Sequence, residues 1–270
     1  MKSSRAVALI GGLTVLLYIA AIFFGFYVKD LSFDRSRFTH GMDWQPPPSA
    51  SVPDDATGDK IRRGALIFDQ TPLFASANAG NNLSCSDCHA EGGIQPYAAP
   101  MVNLPAEFPW YSKRAGHKIS LKQRIQECFV RSENGKPLDY NGATMDDLMA
   151  YINWLSQPEP NHKPFQGRGL IDLPELKPNP TNGEQIYYTQ CAGCHGNDGL
   201  GRAPMFPPLW GPKSFNDGAG MDKLPKMASF VQHNMPQNRM GILTPQQAYD
   251  VSAFIHQQPR PAFNPAYKSY

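Results

Sequence analysis

Five cysteines and the residues beside them concentrate the chemistry of this chain. Four of them form two copies of one pattern, Cys85-Ser86-Asp87-Cys88-His89 and Cys191-Ala192-Gly193-Cys194-His195. In C-x-x-C-H the two thiols stand about one helical turn apart, so both can add to the vinyl groups of a single porphyrin. The histidine that follows is carried beneath the iron as its proximal ligand. One copy alone would also suit half of a zinc site or a redox disulfide. Two copies, each followed by a domain-sized stretch in a chain that carries an export signal, favour two covalently bound haems c. Cys85, Cys88 and His89 are expected to hold the first, and Cys191, Cys194 and His195 the second.

The sixth ligand of each iron separates a carrier from an enzyme. In the second half, Met235-Pro236 stands just before the last helical pattern. The small cytochromes c that this half resembles keep their axial Met there, and a thioether opposite His suits electron transfer. Met240, Met227 and Met221 are nearby rivals, and any single Met is otherwise a core filler or a loop residue. The first half has no Met-Pro before its last helix, and Met101, twelve residues after His89, is a weaker candidate. It does hold the fifth cysteine, Cys128, within LKQRIQECFVRS (Leu121–Ser132). If that segment is helical, Arg124, Cys128, Arg131 and Ser132 share a face. Guanidinium groups beside a thiol favour the thiolate, which binds iron and attacks sulfur, and they would also hold a small dianion. A buried structural cysteine among solvated arginines fits the same spacing, and spacing leaves both readings open.

The elements that must position these groups come in pairs. Ile61, Ala65 and Phe68 recur at helical spacing ahead of the first motif, and Gly183–Tyr188 runs into the second. Thr144–Leu155 and Thr244–Ile255 are amphipathic and follow the motifs, with Ala150-Tyr151-Ile152 and Ala253-Phe254-Ile255 in matching places. Thr244 with Pro245 makes a good N-cap and first-turn pair. An N-terminal and a C-terminal helix crossing near a haem edge is the class I cytochrome c arrangement that these segments resemble. The expected fold is mostly α, with an N-terminal transmembrane helix followed by two such domains in tandem.

Ala6–Val28 is a run of 23 residues without a charge. As a helix it reaches about 35 Å, enough for a hydrocarbon core of roughly 30 Å. Lys2 and Arg5 precede it, which places the N-terminus in the cytoplasm and the rest outside. A cleaved signal peptide would have a shorter apolar core and a small-x-small site, whereas this run ends in Phe-Gly-Phe-Tyr-Val. The expected organisation is an anchor at 1–28, a tether at 29–58 that includes QPPPSASVPDDATG (Gln45–Gly58), and a first cytochrome domain at 59–157. A Pro-rich linker at 158–181, a second domain at 182–258 and a tail at 259–270 complete it. The net charge of +2 gives no sign of a nucleic-acid partner, and 23 glycines with 26 prolines describe a loop-rich globular protein, a description that cytochrome c domains fit.

FPWYSKRAGHKISLKQRIQECFVRSENGKPLDYNGATMDDLMAYINWLS (Phe108–Ser156) resembles the di-haem thiosulfate dehydrogenase family. FPPLWGPKSFNDGAGM (Phe206–Met221) and FVQHNMP (Phe230–Pro236) do so as well, and the resemblance runs from about Asp59 to Gln257. Its most specific element is Arg-x-x-x-Cys-x-x-x-Ser, at Arg124, Cys128 and Ser132. The resemblance implies that His89 and Cys128 ligate the iron of an active-site haem, with Arg114, Arg124 and Ser132 lining the substrate pocket. It implies further that His195 and Met235 ligate an electron-exit haem. The reaction implied joins two thiosulfates as tetrathionate, and its reverse would use the same site. Many relatives are soluble periplasmic proteins, whereas this chain reads as tethered to lipid by one N-terminal helix, with its domains on the periplasmic side of the inner membrane. A cytochrome or an oxidase would accept the electrons. Two rivals remain: a non-catalytic di-haem carrier, and an enzyme acting on another sulfur anion. His40, His117, His162, His233 and His256 read as surface or packing residues without a role.

Overall fold

A computed structural model describes residues 44–156 and 165–270. The expected anchor, the tether before residue 44, the start of the linker, His40 and His162 lie outside the described residues. Among the described residues no helix is long and apolar enough to cross a membrane.

Six of the helices carry the architecture: α1 (Ala56–Asp69), α2 (Leu121–Arg131), α3 (Ala143–Leu155), α4 (Pro180–Ile186), α5 (Leu224–Asn234) and α6 (Pro245–His256). Several begin where the sequence supplies a cap. The Asp55 carboxylate accepts from the Thr57 and Gly58 amides at the start of α1, and Ser120 accepts from the Gln123 amide at the start of α2. Thr244 caps α6 through the Gln247 amide, with Pro245 in the first turn as expected.

The two halves repeat one crossing. α1 packs across α3, and α4 packs across α6. At the first contact Gly64 touches α3 so closely that an added Cβ would lie 2.1 Å from the Asp147 carbonyl oxygen. At the second, a Cβ on Gly183 would lie 1.9 Å from the Asp250 carbonyl oxygen. One turn further along, Phe68 meets Tyr151 with ring centroids 5.5 Å apart, and Tyr187 meets Phe254 at the same 5.5 Å. Glycine lets the backbones touch, and the aromatic pair one turn on fills the space that opens as the helices diverge. The carboxylates of the same crossings are also used. Asp147 takes Arg63 at 2.9 and 3.0 Å, and Asp250 accepts from Asn182 Nδ2 at 2.7 Å.

Three features depart from the sequence reading. Residues 44–58 are no loose tether, because Trp44 is buried edge-on against Phe165 and Val52 packs on the first core. Trp154 Nε1 donates to Ser51 Oγ and holds the same stretch down. A β-hairpin, β1 (Trp110–Ser112) with antiparallel β2 (His117–Ile119), stands before α2 and carries Arg114 in its turn. The segment ahead of the first motif bridges the halves, since Leu83 and Ser84 line a cavity in the first half. Leu83 is buried in the second core beside Trp210 and Phe215, because Asn81 Nδ2 ties it to both the Ser132 and Ser214 carbonyls.

Candidate active site and haem pockets

A cavity of about 210 Å³ lies in the first half. Cores leave few voids larger than a water molecule, so a space of this size inside a well-packed domain is built for an occupant. Cys85, Cys88 and His89 reach it from one short segment, and α2 contributes Arg124 and Cys128, with Ser132 at its end. Phe68 of α1 and Leu148 and Ile152 of α3 supply apolar wall. Cys85–Cys88 is a single helical turn, and the Asp87 carboxylate accepts from the Ser84 amide at 2.8 Å at its start. Burial pushes Asp87 up to about 6.

His89 is prepared as a ligand. Its Nδ1 lies 2.6 Å from the Ala99 carbonyl oxygen. A carbonyl can only accept, so Nδ1 carries the hydrogen and Nε2 keeps a bare lone pair. Burial holds the ring neutral, pushing it down to about 4, against the Ala99 hydrogen bond, which acts in the opposite direction. His195 repeats the device with the Pro207 carbonyl at 2.9 Å, and burial lowers it as well. Each C-x-x-C-H turn therefore presents a neutral imidazole with a free nitrogen, and in the first half that turn lines the apolar cavity. These donors fit a haem c at each site.

α2 brings Cys128 and its arginine together. The Cys128 sulfur is the main cause that raises Arg124 above its ordinary value, against desolvation, with Glu127 adding to it. Arg124 Nη1 donates to Glu127 Oε2 at 3.0 Å. The shared face expected from spacing is split, since Arg124, Cys128 and Ser132 line the cavity while Arg131 lies under the Phe263 ring, 4.5 Å from its centroid. Arg114 approaches from the hairpin turn. Its Nη1 is 3.8 Å from Glu127 Oε2 and its Nη2 donates to the Gly218 carbonyl of the second half at 3.0 Å.

Sequence reasoning passed over Glu133, Glu107, Arg168 and Lys226. Glu133 lines the cavity, is pushed well above the ordinary carboxylate range by burial, and has one carboxyl oxygen without a partner. Glu107 and Arg168 pair at 2.5 Å on the same wall. Nothing in their spacing marks them, because long-range packing brings them there. Met101 is buried in this wall, two residues past the carbonyl that holds His89, and its amide donates to Gly93.

Among the methionines of the second half, Met235 is partly buried against both the second core and the seam between the halves. Met240 is 42 % exposed, with its sulfur 2.9 Å from Gln95 Nε2. Met227 is core, and Met221 is partly buried beside it. Of the histidines without an expected role, His256 Nε2 lies 2.9 Å from the Met221 carbonyl oxygen, His233 packs edge-on to Tyr97, and His117 is exposed.

Two helical halves, each with a C-x-x-C-H turn and an oriented histidine, define a c-type cytochrome with two covalently bound haems c. Residues 70–160 match the family described as SoxA/TsdA, cytochrome c domain, and residues 180–259 match the cytochrome c family. The thiosulfate dehydrogenase of Allochromatium vinosum is 40% identical over 227 residues, which cover 80% of this chain and 84% of that one. That of Psychrobacter arcticus is 39% identical over 221 residues, covering 80% and 68%. A solved thiosulfate dehydrogenase, TsdBA from Marichromatium purpuratum, superposes with a TM-score of 0.78 at 33% identity over 84% of this chain. This chain spans about half the length of that solved chain, 51%. The chain belongs to the thiosulfate dehydrogenase family.

Proposed function

We propose that this enzyme joins two thiosulfate dianions into one tetrathionate dianion at the first haem pocket and releases two electrons through the second. The observation that carries this reading is a cysteine and an arginine, Cys128 and Arg124, standing beside one another in the cavity that also holds His89. His89 and Cys128 are the proposed ligands of the first iron, and His195 and Met235 those of the second. Haem c, when bound, supplies one-electron chemistry, and two irons together can take the two electrons.

The chain's own residues handle the rest. Two dianions repel, so Arg114 and Arg124 offset a charge that a neutral pocket could not hold. The Cys128 thiolate forms a sulfur–sulfur bond to the sulfane sulfur of the first thiosulfate as two electrons leave. The second thiosulfate attacks that adduct, forms the central bond of tetrathionate and returns the thiolate. Ser132 has a hydroxyl in the cavity to donate to a sulfonate oxygen. With haem held at both sites, a Cys128 thiolate would favour a low potential at the first and a Met235 thioether a higher one at the second.

Residues 59–157 would form the catalytic domain and 182–258 the electron-exit domain, joined by the linker at 158–181 and followed by the tail at 259–270. The anchor at 1–28 would hold both on the periplasmic face of the inner membrane, where a cytochrome or oxidase takes the electrons. Met101 also lines the cavity and would suit a plain carrier, whereas the cysteine and arginine that line it with His89 favour the enzyme. The test is to add thiosulfate to the oxidised di-haem protein with ferricyanide as acceptor. One tetrathionate per two ferricyanides reduced is expected, and haem reduction without tetrathionate overturns the proposal.

A further inference from the structure

Positive charge gathers beside the cavity in excess of what the fold needs. Arg124 and Arg114 already share the Glu127 carboxylate, at 3.0 and 3.8 Å. Arg131, one turn beyond Cys128, is 5% exposed, and its Nη1 is buried with no hydrogen-bond partner. Burial, then the charges of Arg114 and Arg124, pull its guanidinium down to about 10, against Glu127 and Cys128, which act the other way. A fourth cation comes from the other half. Lys226, exposed in the first turn of α5, is lowered by partial desolvation and then by the charges of Arg124, Arg114 and Lys223.

The contact that brings α5 there is explicit. Arg114 donates to Gly218, two residues ahead of the turn Gly220–Asp222, and Lys223 follows that turn directly as the N-cap of α5. Phe263 of the C-terminal tail covers Arg131 from outside and is itself held by the Asp217 carboxylate, which accepts from its amide at 2.7 Å. Three guanidiniums share the Glu127 carboxylate, Lys226 adds its charge to theirs, and one guanidinium nitrogen is buried and unpaired, so positive charge exceeds negative here.

We propose that Arg131, Arg114 and Lys226 form a second sulfur-oxyanion subsite, built across the two halves, which holds the sulfonate of the second thiosulfate while the first lies at Cys128. The proposal rests on the thiosulfate reading and deepens it. Arg124 and Ser132 line the cavity and serve the first dianion, whereas Arg114, Arg131 and Lys226 stand outside its wall and serve the second. Tetrathionate carries a sulfonate at each end, so two oxyanion sites in line suit the product as well as the two substrates. The first half alone would then be an incomplete enzyme, because Lys226 belongs to the second.

Lys226 is exposed, so its replacement leaves the core intact. In the di-haem protein, Lys226→Gln should raise KM for thiosulfate about five- to tenfold and lower kcat less, the ordinary loss for one charge-assisted contact. Sulfate, a dianion that cannot be oxidised, should bind that variant more weakly by a similar factor when measured by calorimetry. Both haem spectra should stay those of the parent, and Lys226→Arg should restore KM and sulfate affinity to within about twofold. If Lys226→Gln leaves KM and sulfate affinity within twofold of the parent, the subsite is overturned. If the parent makes no tetrathionate yet binds sulfate in a Lys226-dependent way, the thiosulfate reading falls and the anion subsite stands.

Discussion

Cys128 is half-buried among residues that would each be ordinary elsewhere: an arginine four positions before it, a serine four after it and a carboxylate beside it. What makes the group chemical is that Arg124, Cys128 and Ser132 line the cavity that His89 also lines. A serine at this position keeps the size but has neither a soft donor for iron nor a nucleophile for sulfur. Cys128→Ser should therefore retain both haems and lose thiosulfate-dependent haem reduction by at least about 10³-fold, as removal of a covalent nucleophile does. Stopped-flow spectra of the oxidised variant mixed with thiosulfate check this, and parent-like reduction rejects the catalytic role. Glu127 holds Arg124 and Arg114 toward each other, and Glu127→Gln should weaken their alignment, seen as a higher KM for thiosulfate with both haem spectra retained.

The element that sets each pocket is a helix crossing, and its tightest point is a glycine. Gly64 against Asp147 and Gly183 against Asp250 leave no room for a methyl group, because the atoms in the way are backbone. Gly64→Ala and Gly183→Ala should each cost about 3 kcal/mol, the upper range for overpacking, since the helices must separate and pull Phe68 from Tyr151 or Tyr187 from Phe254. Gly220→Ala, with nothing within 4 Å of the added carbon, should stay within about 0.5 kcal/mol. Guanidinium chloride midpoints on the three variants decide the matter. The periodicity of α1 and α3 is legible because each buries one stripe of side chains, whereas α6 is buried on every face from Ala248 to Ile255 and is marked instead by its Thr244-Pro245 start. The hairpin of Trp110–Ile119 is not legible, because three-residue strands carry too few alternations to show a period.

The whole molecule is held by a polar seam as much as by its two cores. Asn216 of the second half donates through Nδ2 to the Val130 carbonyl and to Asn134 Oδ1, and its amide donates to the Arg131 carbonyl. Asn216 is 1% exposed, so Asn216→Ala strands buried acceptors and should cost about 2 kcal/mol. Because that seam places α5 and the tail against α2, the same variant should split one calorimetric unfolding transition into two and raise KM for thiosulfate. A single transition at the parent temperature would show that the seam is not what couples the halves. At this scale the haem count also belongs: pyridine haemochrome on denatured protein should give two haems c per chain, and one or none would refute the paired motifs.

The sequence by itself settled the features that local spacing controls: two C-x-x-C-H turns, the four crossing helices and the arginine–cysteine–serine face of α2. Those follow from covalent neighbours and from a 3.6-residue period, which a chain carries wherever it folds. Only the tertiary structure decided that Arg131 turns away from the cavity and lies under Phe263, that Leu83 belongs to the second core, that residues 44–58 pack down through Trp44, and that Lys226 comes within electrostatic reach of Arg124. Each of these joins residues more than a hundred positions apart, and no local pattern records such a contact. It arises when the halves close on each other and every buried polar group must find a partner.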